Sequence, residues 1–314
     1  VSDNGRLVYA SGRQGGGQVS SLVWVDRSGG EEPVPVEPSN YVWARVSPDG
    51  GSVTWQEDSD VWVSDLLRPG ARIKVTVDPG QDGQPLWTLD GQHVVFQSAR
   101  AGQPGLFRKA ADGTGEAEQI LTVDGTAYLF PYQFTPDGET LVVALRMPGT
   151  SDDFGMVSMG EDQNWQSVLH TEAREGNPAI SPDGEWVAYR SHETGQPEVY
   201  VAAFPTMQQR QPVSIGGGWS PVWSPDGTEL FYQNGRRMMR VPVTNESSLT
   251  LGTPEILFEG PYASGVMRNY DVAPDGRFLM VRSGTPSGVE DSSPPQINVV
   301  LNWFEEIKQR VPVP

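Results

Sequence analysis

The sequence predicts an all-β protein, and specifically a β-propeller of four-stranded blades, on three observations. A four-residue turn signature recurs seven times along the 314 residues, each turn is followed by a short, strongly apolar run, and Gly and Pro are abundant at 36 and 27. Repeats of this period are the mark of stacked supersecondary units, and plentiful turn residues favour many short strands over long helices.

The turns read SDNG at 2–5, SPDG at 47–50, TLDG at 88–91, TPDG at 135–138, SPDG at 181–184, SPDG at 224–227 and APDG at 273–276. Measured from residues 4, 49, 90, 137, 183, 226 and 275, the spacings are 45, 41, 47, 46, 43 and 49 residues. Pro presets φ, Asp caps neighbouring N–H groups and Gly tolerates positive φ, so Pro-Asp-Gly reverses the chain between strands. A short strand precedes each turn, as in PLWTLDG. An apolar strand follows, such as HVVFQS, WVAYRS or ELFYQ, and after a polar loop a third comes, such as DVWVSD or EVYVAAF. A weaker fourth, such as RIKVTV, closes several repeats. Val, Tyr, Phe and Trp dominate these runs, as pleated strands require.

About 45 residues per four antiparallel strands is the period of a propeller blade, whose two faces are buried only when blades stack around an axis. Trp43, Trp87, Trp186 and Trp223 fall where blade packs on blade. Seven turns predict seven blades in a single domain over 1–314, or six if the incomplete first and last repeats do not make a blade of their own. After INVVLNW the pattern changes, and FEEIKQRVPVP predicts a short helix over 302–311, capped by Asn302 and ending before Pro312.

Acidic residues outnumber basic ones 40 to 22, a net charge of −18 that repels a phosphate backbone and argues against a nucleic-acid partner. There is no cysteine, hence no disulfide, thiolate metal site or cysteine nucleophile. No apolar run is long enough to cross a bilayer, so this segment is not expected to insert in a membrane. The start at Val1, already inside a repeat, suggests a piece of a longer protein.

The lines SDNGRLVYASG with SLVWVDRSGG (2–30), ISPDGEWVAYRSHETGQPEVYVAAFP (180–205), GGGWSPVWSPDGTELFYQ (216–233), YDVAPDGRFLMV (270–281) and VVLNWFEEIKQ (299–309) resemble TolB-like, WD-repeat-like propeller repeats. They are most similar to the C-terminal propeller region of bacterial membrane-anchored Ser/Thr protein kinases. The resemblance covers essentially the whole chain and is specific for fold rather than activity. It implies an extracytoplasmic location within a membrane-anchored parent. The kinase signature itself is absent, and DDFG at 152–155 lacks the other kinase motifs. No Gly-x-Ser-x-Gly elbow occurs, and the histidines are His93, His170 and His192.

If the Asp-bearing turns occupy one face, the segments leading into each first strand and the loops between second and third strands share the other. That face supplies the candidate residues. Trp43, Tyr128, Trp219 and Arg268 are candidates to grip a ligand, and Glu175, His192 and Glu193 to act catalytically. Asp82, Asp153, Glu175, Asn177 and Asn269 carry the oxygens a hard cation prefers. Two readings follow. In the first, the propeller is a binding or sensor module for a protein, peptide or glycan ligand within a larger signalling protein, monomeric as an isolated domain. In the second, it is a divalent-metal-dependent hydrolase of esters, lactones or phosphotriesters. Similar propellers hold calcium or a like ion at the axial tunnel, the only cofactor so implied. The recurring Asp of the turns is read as structural, since no single reaction needs it in every blade.

Overall fold

The computed structural model describes residues 19–284, except 69, 79, 101, 124, 127, 147–151, 161–164, 246 and 247, and the backbone of 7–10 and 297–300. Two bodies are distinguished, Ser20–Ser283 and a smaller one made of Val1–Val19 with Gly284–Pro314. In the smaller body Leu7–Ala10 pairs antiparallel with Ile297–Val300, Leu7 opposite Val300. The helix expected over 302–311 lies outside the described residues.

The larger body holds six antiparallel sheets, described as blades from the innermost strand outward. Blade one comprises Val42–Val46, Ser52–Glu57, Asp60–Asp65 and Arg72–Lys74. Blade two comprises Asp82–Trp87, His93–Ser98, Gly105–Ala110 and Glu118–Thr122. Blade three runs Tyr128–Phe134, Thr140–Arg146, Asp153–Ser158 and Trp165–Leu169. Blade four runs Glu175–Ile180, Trp186–Ser191, Glu198–Ala203 and Gln211–Pro212. In blade five, Trp219–Trp223 and Glu229–Asn234 are followed by the long Arg237–Asn245, whose two halves pair with Glu255–Glu259 and Leu249–Leu251. Blade six joins segments far apart in the chain: Tyr270–Val272 and Phe278–Ser283 are completed by Ser20–Val25 and Glu31–Pro33.

The count of six corrects the expectation of seven. Ser20–Val25, read as the third strand of the first repeat, does not pair with that repeat's own second strand. It pairs instead with Phe278–Ser283 of the last repeat, Val23 opposite Met280. The strands left over, Leu7–Ala10 and Ile297–Val300, pair with each other as a separate two-stranded ladder. The incomplete end repeats therefore share one blade, and the larger body has six.

Each innermost strand packs against the next, and Tyr270–Val272 returns to Val42–Val46, so six inner strands surround an axis. Six apolar clusters fill the blade interfaces. One joins Trp186 and Val199 to Trp223 and Leu230, and another joins Leu22, Trp24 and Leu279 to Tyr41, Val53 and Trp55. At the end of their inner strands, Trp87 and Trp223 donate their indole N–H to the preceding blade, at the carbonyls of Arg45 (3.2 Å) and Ala179 (3.0 Å). The indole's apolar body seals the interface while its one polar atom is satisfied.

The turns work as their residues predict. Asp49 accepts from the Ser47 hydroxyl (2.6 Å) and the Gly51 N–H (2.9 Å), and Ser47 accepts from the Ser52 N–H (2.9 Å). The pattern repeats at Asp90, Asp137, Asp183 and Asp226. The hydroxyls of Ser47, Thr88, Thr135 and Ser224 are the main cause holding Asp49, Asp90, Asp137 and Asp226 below the usual carboxylate range. Gly50 adopts φ of 75°, and a Cβ there would sit 3.6 Å from Pro274 of blade six. Gly91, Gly184 and Gly227 likewise lie on Pro48, Pro136 and Pro182 of the preceding blade. The turn thus reverses the chain and locks adjacent blades together.

Two outcomes follow. Asp183 also accepts from Asn245 (2.9 Å) and the Glu185 N–H (3.0 Å), so Asp183→Ala should cost about 1–2 kcal/mol in denaturant melts while Asp183→Asn costs less. Carboxylates with depressed folded values confer stability above the ordinary Asp value of about 4. That stability is lost as pH falls through the lower folded values. Thermal melts should therefore drop below about pH 4, and the Asp183→Ala deficit should shrink there.

Candidate functional site

Both faces of the ring follow from the strand order. Inner strands run toward the turns, so their first residues gather on the opposite face. In blades one to five the pairing of the inner strand slips by a β-bulge, between Val42 and Arg45, Gly83 and Leu86, Pro131 and Gln133, Gly176 and Ala179, and Trp219 and Val222. Within four of these bulges Trp43, Gln84, Asn177 and Ser220 adopt left-handed φ values of 50–57°. A non-glycine residue in that region costs of order 1–3 kcal/mol, and bulges of this kind re-aim side chains at sites. Gln84, Asn177 and Ser220 each precede a proline, which also bars the right-handed helical region.

On this face a cavity of about 140 Å³ is lined by Trp43, Gln84, Tyr128, Phe130, Tyr132, Asp152, Arg174, Glu175, Asn177, Arg190 and Val266, among others. Tyr128 stacks on Phe130 with centroids 4.3 Å apart and donates its hydroxyl to Asp152. Asp152 also accepts from Arg174 (3.0 Å) and Arg146, so its charge is matched. Trp43 meets Tyr132 edge-on at 6.4 Å. Glu175 is buried: its Oε1 accepts from Thr171 (2.9 Å) and Ser191 (3.2 Å), while its Oε2 has no partner among the described residues. Asn177 donates to the Val266 carbonyl (3.3 Å), and its Oδ1 is unpartnered. The Gln84 Oε1 and the Arg190 Nε complete four lining atoms that are buried without a partner.

Arg190 is 3% exposed, and among the described residues it is ion-paired with no carboxylate. Its guanidinium lies 5.1 Å from the Trp219 ring, and burial pulls its pKa below the ordinary arginine value. Gly176, opposite Arg190 in the ladder, makes room for it: a Cβ there would lie 2.7 Å from Nη2. Burial raises the Glu175 carboxyl, opposed by its bonds to Thr171 and Ser191.

Of the residues expected from sequence, Trp43, Tyr128, Glu175 and Asn177 meet around this cavity. Trp219 sits beside it, under Arg190 and edge-on to His192 (5.7 Å). Burial, then the charges of Arg190 and Arg174, lower the His192 pKa. Glu193 is turned aside into an ion pair with Arg210 (2.6 Å). Asp82 is held by Arg100 (2.8 Å) and Asp153 by His170 (2.7 Å), each keeping one orphan oxygen, as does Asn269. Arg268 lines a different cavity and pairs with Asp271. Among the described residues no three His, Asp or Glu side chains are grouped to hold a metal ion, and no serine hydroxyl is hydrogen-bonded to a histidine. Sequence reading missed Gln84, Phe130, Tyr132, Asp152, Arg174 and Arg190. The visible signal was Arg190 itself, a charge interrupting the apolar run WVAYRS.

Glu175 allows a signed prediction. An acid whose folded pKa is raised confers stability below its unfolded value, near 4.3, and loses it as pH rises through the folded value. Glu175→Gln keeps the uncharged form throughout. Its melting temperature should overtake that of the wild type as pH rises from 4 to 8, and an unchanged difference would refute the burial argument.

No family model matches the chain. Among curated proteins it is 28% identical over 179 residues to an uncharacterized protein of Agrobacterium fabrum, covering 54% of this chain and 59% of that protein. It is 24% identical over 176 residues to a putative tricorn protease homolog of Streptomyces coelicolor (47% of this chain, 14% of that one). It is also 24% identical over 181 residues to the uncharacterized peptidase YuxL of Bacillus subtilis (56% and 26%). The matches thus span between about one-seventh and three-fifths of these relatives' own lengths. Among solved structures, putative TolB from Agrobacterium tumefaciens superposes with a TM-score of 0.70 at 18% identity, covering 85% of this chain and 99% of that one. An oligogalacturonate lyase in complex with manganese reaches 0.56 at 14% identity, covering 91% and 87%. At these identities the likeness is one of fold: a TolB-like β-propeller.

Proposed function

We propose that the chain is the ligand-recognition propeller of a larger bacterial protein, binding a protein, peptide or glycan at the face opposite the turns. The observation that carries this reading is the set of four buried, unpartnered polar atoms around the Trp43 cavity, at Gln84, Glu175, Asn177 and Arg190. A buried polar atom without a partner costs about 1–3 kcal/mol, a deficit that a ligand bringing matched donors and acceptors would remove. The cavity has room for one side chain or sugar substituent rather than a whole small molecule. Apolar groups exposed on segments leading into inner strands of the same face support a macromolecular partner: Val77 (68% exposed), Ile215 (93%), Val266 (54%) and Met267 (47%). The resemblance to kinase-linked propellers supports an extracytoplasmic, membrane-anchored parent. Among the described residues, no helix is long and apolar enough to cross a membrane.

The second reading, a metal-dependent hydrolase, is favoured by one observation. The orphan oxygens of Glu175 and Asn177 line the same cavity and are of the hard type that calcium or a similar ion takes.

Selection of displayed peptides and an immobilised glycan panel should yield binders that lose at least about tenfold, or about 1.4 kcal/mol, on Trp43→Ala or Arg190→Met. Gly176→Ala, which crowds the Arg190 guanidinium, should weaken the same binders with little loss of stability. Elemental analysis showing a bound divalent ion, with ester or lactone turnover lost on chelation and no binder recovered, would favour the hydrolase instead.

A further inference from the structure

A second axial cavity, of about 430 Å³, lies at the turn side of the ring, where residues from all six blades line it. Its walls are largely apolar: the turn prolines Pro48, Pro182, Pro225 and Pro274, with Leu86 and Val222. Its charged lining residues are Arg45, Arg268 and Asp271. Asp271 is already committed, accepting from Arg268 and from the Val46 N–H (3.0 Å). The Gln133 amide is likewise spent, donating to the Ile180 carbonyl (3.2 Å) and accepting from its N–H (3.0 Å).

Arg45 is the exception. It is 6% exposed, and its Nη1 donates only to the carbonyls of Ala44 (2.8 Å) and Arg268 (3.1 Å). Among the described residues no carboxylate pairs with it. Burial, and then the neighbouring Arg268 charge, push its guanidinium down to about 9, so at neutral pH it is still a cation. In a chain of net charge −18, the two arginines and one carboxylate of this cavity leave one positive charge in excess, and Arg45, 5.7 Å from the Trp43 ring, is the arginine without an ion pair among the described residues. A planar guanidinium with unused N–H donors matches a carboxylate.

We propose that this turn-side cavity binds a monocarboxylate with an apolar body, its carboxylate on Arg45 and its body against the turn prolines. The proposal concerns a separate cavity and stands independently of the reading of the opposite face. One negative charge is expected because one cation is unmatched, and a dicarboxylate would leave its second charge against apolar walls. Both a free small acid and the C-terminus of an apolar peptide present this chemistry.

Isothermal titration of the intact chain with N-acetyl-leucine, its primary amide, and N-acetyl-alanyl-alanyl-leucine tests it. Expected is binding of at least one acid, with the amide at least tenfold weaker. Binding of the small acid alone would mark a free metabolite as ligand, and binding of the peptide acid alone a chain terminus. Arg45→Met should abolish acid binding and Arg45→Lys retain part of it, whereas Arg237→Met, at an exposed residue of blade five that pairs with Glu259, should leave it unchanged. Equal binding of acid and amide, no heat from either acid, or a folded Arg45→Met that binds like the wild type would overturn the proposal. Should Arg45→Met fail to fold, the acid–amide comparison on the wild type decides alone.

Discussion

The ladder between Ser20–Val25 and Phe278–Ser283 is the constraint on which the rest of the ring depends. Without it, blades one to five would leave two apolar faces open, because each blade buries its faces only against neighbours. The ladder brings Leu22, Trp24, Leu279 and Val281 onto blade one, and Val23, Val25, Phe278 and Met280 onto blade five. One pairing of residues more than 250 positions apart thus completes two apolar interfaces. Among the ladders of the larger body it closes the longest loop, and so costs the most loop-closure entropy.

Closure has a functional consequence at the axis. Six inner strands converge there, and every backbone and side-chain polar group they carry must find a partner in a narrow space. At the turn end indole and amide bonds between neighbouring strands meet most of this demand, as at Trp87, Trp223 and Gln133, and Arg45 is the group that keeps unused donors. At the opposite end the demand is met less well: of the left-handed bulge residues, Gln84, Asn177 and Ser220 each keep a buried polar atom without a partner among the described residues. Strain and unsatisfied polarity coincide on the side where the loops stop repeating. Tyr132 lines both axial cavities, so an occupant of either would bear on the same aromatic wall.

Much of the fold was legible because its signals are local. Pro-Asp-Gly turns and apolar alternation act over a few residues, and both read directly from the chain. The site was only partly legible. Trp43, Tyr128, Glu175 and Asn177 stood out as unusual residues on segments leading into inner strands. Arg190 showed only as a charge in the apolar second strand Trp186–Ser191, and Asp152 gave no sign, because its partners, Arg146 at the end of a strand and Arg174 in a later loop, meet it only in the fold. Arg268, expected to grip a ligand, lines the turn-side cavity instead of the Trp43 one: its backbone leads into an inner strand, and its side chain pairs with Asp271, three residues on.

The sequence by itself determined the blade, its four strands, and the structural duty of the recurring Asp, since each rests on contacts within about 45 residues. Only the tertiary structure decided that seven repeats make six blades, because the end repeats choose partners from opposite ends of the chain. It alone also revealed that Arg45, an unremarkable residue in YVWARV, is a buried cation ion-paired with no carboxylate among the described residues. Charge balance at the axis is a sum over six strands far apart in sequence, and no local pattern records it.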